Sequence, residues 1–156
     1  MQLKSHTRRS AETDASAQQT YRLLADVPRS VRHFPELDSI TQEGEAWVWR
    51  MRKLGAGPVT FQVVYAARYG FDASTRAVTW ESVPGFGNTR VSGRWIIEPA
   101  GAGSRFTLDT SFVLDAPFPG FLQGTATALM ARENDRLIAG YLANLKATLD
   151  REARSD

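Results

Sequence analysis

Residues 130–149 read MARENDRLIAGYLANLKATL. Met130, Leu137, Ile138, Tyr141, Leu145 and Leu149 recur at helical spacing, while Arg132, Asp135, Arg136 and Lys146 fall mostly elsewhere. That pattern predicts one long amphipathic helix. Such a helix has to bury its stripe against another layer, and the residues before it supply one. From Ser39 to Leu114 the hydrophobic period is two, with breaks at Gly44, at Gly55-Ala56-Gly57-Pro58, around Asp72 to Thr75, at Pro84-Gly85-Phe86-Gly87 and at Pro99 to Gly103. Six strands fit between those breaks.

The best defined strand runs from Val59 to Phe71. Val59, Phe61, Val63, Tyr65, Ala67, Tyr69 and Phe71 share one face, and Thr60, Gln62, Arg68 and Gly70 take the other. Residues Arg105 to Leu114 repeat the pattern, Phe106, Leu108, Thr110, Phe112 and Leu114 opposing Arg105, Thr107, Asp109 and Ser111. Both read as antiparallel strands with one buried face. Upstream, Leu3 to Arg9 alternate loosely as a short first strand. Asp14 or Ser16 then suits the N-cap of a helix carrying Ala17, Tyr21 and Leu24 on one side and ending near Asp26. Pro28 fits the first turn of a second short helix, with Val31 and Phe34 as its buried side and Pro35 as its stop. The expected plan is α+β: a seven-stranded antiparallel sheet, two short helices after strand one, and a long C-terminal helix as the cover.

The size, 156 residues, suits one domain over 1–156 with a single core. With 42% hydrophobic and 23% charged residues the composition is that of a soluble globular protein. The absence of Cys excludes a disulfide framework, a thiolate nucleophile and a Cys-based zinc site, and favours a reducing, cytoplasmic setting. The first residues, MQLKSHTRRSAETD, have no apolar leader core, and no uncharged apolar run approaches the ~20 residues needed to span a bilayer. Nineteen basic against seventeen acidic residues give +2, too small an excess to argue for nucleic acid.

Three segments together carry a family likeness: ETDASAQQTYRLLADVPRSVRHFPEL (12–37), VSGRWIIEPAGAGSRFTLDTSF (91–112) and LIAGYLANLKATL (137–149). In this order they resemble the START-like helix-grip (SRPBCC) superfamily, nearest its polyketide cyclase/dehydrase-like branch. The resemblance covers nearly the whole chain. Its signatures are an LLAD-type helix end, a Gly-x-Trp strand and an Asn-Leu-Lys near the C-terminus, and they report fold more than reaction. It implies a curved sheet gripping the long helix around an apolar cavity for lipids, sterols, polyketides or other hydrophobic compounds, often bound without catalysis. The segment LLADVPRSVRHFPEL is also similar to coenzyme-Q-type lipid chaperones. The expected function is a carrier or sensor of a hydrophobic small molecule. The alternatives are a polyketide cyclase/dehydrase-type enzyme and a protein-interaction module without a ligand.

Aromatic residues concentrate on the proposed strands: Trp47, Trp49, Phe61, Tyr65, Tyr69, Trp80, Trp95, Phe106 and Phe112. Their flat faces suit either a flat ligand or simple core filling. Asn134 projects between Met130, Leu137 and Tyr141 on the apolar stripe of the helix, where an unpaired amide costs ~1–3 kcal/mol, so it must reach a backbone group, a water or a ligand. Thr110 is the polar exception on its strand face. The expected ligand set is Phe61, Tyr65, Tyr69, Trp80, Trp95, Thr110, Phe112, Met130, Asn134, Leu137 and Tyr141. If the protein is an enzyme, Glu133, Tyr65 or Tyr141 moves the proton while Asn134 or Thr110 holds a carbonyl oxygen. Glu133 borders the stripe, and its pKa would rise if water were excluded.

His6 and His33 lie far apart with no HExxH or His-carboxylate cluster, so neither a metal nor a cofactor is expected. The glycine clusters join strands and lack the strand-to-helix setting of a phosphate loop, so they read as turns. Phe86 at the tip of one turn is expected to fold over a pocket mouth with Phe34, Phe118 and Phe121. Arg50, Arg52, Arg68, Arg90 and Arg94 fall on polar faces opposite most aromatics, which argues against a stacking platform for nucleic acid.

Overall fold

The computed structural model describes residues 2–56 and 59–155, and their side chains except those of 54–61. The chain begins with β1 (Gln2–Thr13) and two short helices, α1 (Ala17–Ala25) and α2 (Val27–Val31). Then come β2 (Leu37–Glu43), β3 (Ala46–Met51), β4 (Leu54–Ala56), β5 (Val59–Phe61), β6 (Val64–Asp72), β7 (Ala77–Ser82), β8 (Thr89–Ala100) and β9 (Gly103–Asp115). A 3-10 turn (Gly120–Leu122) leads into α3 (Gln123–Ser155). Among the described residues, seven strands form one antiparallel sheet in the order β1-β9-β8-β7-β6-β3-β2, and β4 and β5 pair with each other as a separate hairpin.

The helix ends follow from local chemistry. Ser16 caps α1 in a capping box, its hydroxyl accepting from the Gln19 amide while the Gln19 side chain accepts from the Ser16 N–H. Asp26 closes α1 and caps α2 by accepting from the Arg29 amide. Helix α2 ends at Val31, so Phe34 lies in the turn after it. His33 Nε2 meets the Thr148 hydroxyl at 2.7 Å and ties this turn to α3.

One expectation fails in the middle of the chain. The alternating run Val59 to Phe71 is two strands, broken at Gln62 and Val63. Asn88 makes the break: its side chain accepts from the Val64 amide at 3.0 Å and donates to the Gln62 carbonyl at 2.7 Å. The backbone of Gly87 lies so close to Val64 that any Cβ there would overlap it. Of the expected turn at Gly55-Ala56-Gly57-Pro58, Gly55 and Ala56 belong to β4, while Gly57 and Pro58 lie outside the described residues.

Register aligns the inner face across the sheet. Thr7 pairs with Thr110, Thr110 with Gly93, Gly93 with Trp80, Trp80 with Tyr69, and Tyr65 with Trp49. Helix α3 buries Ile138, Tyr141, Leu142, Leu145 and Leu149 against this face and runs beside β1. Arg9 to Asp135, Lys146 to the Glu12 carbonyl and Thr13 to Asp150 fasten that seam. From β9 to β3 the sheet is five strands wide, roughly 19 Å at ordinary strand spacing. Residues from both of those strands line one cavity with α3, so the sheet curls around the helix.

Candidate functional site

The cavity has a volume of about 170 Å³. Trp49, Tyr65, Tyr69, Trp80, Val91, Trp95, Leu108, Thr110 and Phe112 line it from the sheet. Met130, Asn134, Leu137, Ile138 and Tyr141 line it from α3, and Leu24, Val27, Ser30, Val31 and Phe34 close one end. Six rings form a closed circuit, and a seventh, Tyr65, stacks on one of them. Tyr65 stacks on Trp49 at 5.5 Å, Trp49 meets Phe34 edge-on at 5.9 Å, and Phe34 meets Tyr141 at 5.0 Å. Tyr141 meets Trp95 at 5.8 Å, Trp95 meets Trp80 at 6.3 Å, and Trp80 meets Tyr69 at 6.0 Å. The Trp49 indole N–H donates to the Tyr69 hydroxyl at 3.1 Å and completes the circuit.

The polar groups inside it are few and mostly engaged. Tyr141 and Ser30 share a hydrogen bond of 2.9 Å, Asn134 donates to the Thr7 hydroxyl at 2.9 Å, and the Thr110 hydroxyl donates to the Ser92 carbonyl at 3.3 Å. The Tyr65 hydroxyl has no hydrogen-bond partner among the described residues. No fully enclosed side-chain nitrogen or oxygen is left unpaired there either, so the Tyr65 oxygen faces open cavity space. Burial raises the pKa of Tyr65 and Tyr69, and their neighbouring phenols add to it. Burial pushes Tyr141 up to about 12, against the opposing effect of its bond to Ser30. All three phenols are therefore donors at neutral pH.

Charged groups gather where the lining reaches solvent. Glu36, Arg52 and Glu133 lie there, and Arg136 binds both carboxylates, Glu36 at 3.0 Å and Glu133 more closely. Glu36 adopts a left-handed backbone conformation (φ 61°), and its carbonyl accepts from the Arg52 amide at 2.8 Å. The hydrogen bond from Arg136 holds the Glu133 pKa below its usual range. The condition for a raised Glu133 pKa, exclusion of water, is not met at this rim, and a guanidinium stands beside the carboxylate.

The structure brings ten of the eleven expected ligand residues to the cavity: Tyr65, Tyr69, Trp80, Trp95, Thr110, Phe112, Met130, Asn134, Leu137 and Tyr141. The eleventh, Phe61, has its backbone in the hairpin strand β5, and its side chain lies outside the described residues. Phe106 is fully buried core, and Trp47 packs around Val27, Val31 and Trp49. Phe86 does not cover a mouth. It sits with Val48, Ala66 and Val83 on the outer face of the sheet, while Phe118 packs near Leu3 and Leu114 and Phe121 is 85% exposed. Arg52 follows β3 and reaches the cavity rim, whereas Arg68, Arg90 and Arg94 are exposed and do not line the cavity. His6 pairs with Asp109 at 2.6 Å.

Sequence reasoning passed over Ser30. Val27, Ser30 and Val31 fall at i, i+3 and i+4, so Ser30 is a polar exception on the inner face of α2, the same signal that marks Asn134 on α3.

No helix among the described residues is long and apolar enough to cross a membrane. No curated protein sequence matches the chain. Among solved structures, the fold is similar to the ZhuI aromatase/cyclase from Streptomyces sp. R1128, at 18% identity and a TM-score of 0.67, over 95% of this chain and 94% of that one. A protein from Thermus thermophilus aligns at 22% identity and a TM-score of 0.62, over 92% and 99%. A Thalictrum flavum norcoclaurine synthase aligns at 13% and 0.63, over 97% and 98%. Such identities carry the fold alone. The family model described as polyketide cyclase/dehydrase and lipid transport matches residues 4–150. With all of the cavity-lining residues and nearly all of the sheet and the gripping helix inside that span, the chain belongs to the polyketide cyclase/dehydrase and lipid-transport family.

Proposed function

We propose that this protein binds a hydrophobic small molecule between sheet and helix and carries or senses it without transforming it. The observation behind this reading is the ring-lined cavity of about 170 Å³. An apolar cavity of ~150 Å³ takes up benzene. This volume therefore suits a ligand of one or two fused rings better than a lipid tail or a long polyketide. A fully packed interior, as an interaction module would have, is not what the lining describes.

A cyclase or dehydrase needs a group that accepts a proton near neutral pH. Burial keeps the cavity phenols protonated, and Arg136 already neutralises Glu133. That arrangement favours holding a ligand over abstracting its proton. Native mass spectrometry of the purified protein tests the reading: a retained small apolar compound, lost on unfolding, is expected. Bare protein from several expression hosts that takes up no added aromatic compound overturns it. Turnover of an aromatic polyketide mimic, abolished by Glu133→Gln or Tyr141→Phe, would establish the enzyme instead.

A further inference from the structure

We infer that Tyr65 is the specificity-determining group of the cavity: its hydroxyl donates to the carbonyl oxygen of a neutral, planar ligand of one or two rings. The inference rests on the cavity reading above and adds the ligand's chemistry to it. Asn134 and Thr110, the polar groups that sequence reasoning assigned to a carbonyl oxygen, are tied to Thr7 and Ser92, Asn134 through one of its two N–H groups and Thr110 through its only O–H. Tyr69 accepts from Trp49, and Tyr141 is paired with Ser30. Tyr65 alone among these polar groups has no protein partner among the described residues, and its oxygen faces the void.

The ring of Tyr65 is pinned by stacking on Trp49, 19° from parallel, so the hydroxyl is aimed before a ligand arrives. A buried donor without a partner carries a desolvation penalty that an acceptor on the ligand removes. The match is to a neutral acceptor, because the lining cation Arg52 and the guanidinium of Arg136 both stand at the solvent rim. A carboxylate placed at Tyr65 would be buried without a countercharge.

Calorimetric titration with α-tetralone and with tetralin, the same skeleton lacking the oxygen, tests this. Tyr65→Phe is expected to weaken α-tetralone about 3–10-fold and to leave tetralin within about twofold, the size of one neutral hydrogen bond. Equal loss for both compounds, or loss for neither, overturns the inference while leaving the cavity reading intact. Binding of neither compound to the wild-type protein overturns the cavity reading and this inference with it. Should Tyr65→Phe not fold, the infrared carbonyl stretch of α-tetralone bound to wild type decides. A band lowered relative to the ketone in hexane is expected, and an unshifted band is contrary.

Discussion

The Asn134 side chain on α3 donates to the hydroxyl of Thr7 on the edge strand β1 across 2.9 Å, so the polar residue on the apolar stripe of the helix is a clamp between helix and sheet. Thr7 lies opposite Thr110, which faces the cavity. The bond therefore fixes the helix where its lining residues Met130 and Leu137 are carried. Asn134→Ala is expected to cost about 1 kcal/mol, and the cycle with Thr7→Val to give a coupling of about 0.5–1.5 kcal/mol in urea unfolding. Additive effects of the two substitutions would show that the clamp contributes nothing.

A second clamp closes the far end of α3. Asp150 accepts from the Thr13 hydroxyl at 2.6 Å, from the Asp14 amide at 3.0 Å and from Lys146 at 3.0 Å. Burial raises its pKa, and those three contacts outweigh burial, leaving it at about 2 against 3.8 for a free carboxyl. A depressed folded pKa means that the stabilisation is complete above pH 3.8 and is lost as pH falls toward 2. After discounting for solvent screening, Asp150→Asn should cost about 1–2 kcal/mol at pH 7 and little at pH 2. Equal destabilisation at both pH values in thermal unfolding would assign the effect to packing.

What was legible in the sequence is what alternation and helical spacing encode, because burial of one face imposes those periods directly. Thr110, Asn134 and Tyr141 could be placed toward one space from position alone. The break at Gln62 and Val63 was not legible, since the hydrogen bonds that cause it come from Asn88, 24 to 26 residues further on. Nor was the state of Glu133, which depends on Arg136 reaching Glu36 across the rim. Alternation puts Tyr65 and Tyr69 on one face but does not say which phenol is satisfied. That is settled by Trp49 on the neighbouring strand, whose ring stacks on one tyrosine while its N–H goes to the other.

Raised tyrosine pKa values predict alkaline sensitivity. The unfolded chain releases the Tyr141 proton near pH 10, whereas the native state holds it to about 12, so the unfolded state gains stability as pH rises between those values. The native state should lose about 2–3 kcal/mol through Tyr141 alone over that interval. Urea unfolding at pH 9 and pH 11 should show about half of that loss, and Tyr141→Phe should reduce it. Absorbance at 295 nm should show fewer tyrosinates at pH 11 in the folded protein than in urea. A midpoint unchanged between pH 9 and pH 11 refutes the prediction.

Gly93 joins the fold to the site. A Cβ there would lie 2.5 Å from the Asp109 carbonyl oxygen, 2.7 Å from Trp80 Cζ2 and 2.9 Å from Thr110 Cα. The missing side chain is what lets the indole of Trp80 lie across β8 and form part of the cavity wall. Gly93→Ala has to shift both the β9 backbone, which is paired on both sides, and the indole, which has the cavity in front of it. The indole is the softer neighbour. The substitution should therefore cost about 1–3 kcal/mol and also lower α-tetralone affinity, by pushing Trp80 into the ligand's space. Adding Trp80→Phe should restore part of the stability, because the smaller ring relieves one of the close contacts while the two backbone contacts remain. No recovery in the double variant would place the strain in the β8–β9 pairing, with Trp80 a bystander.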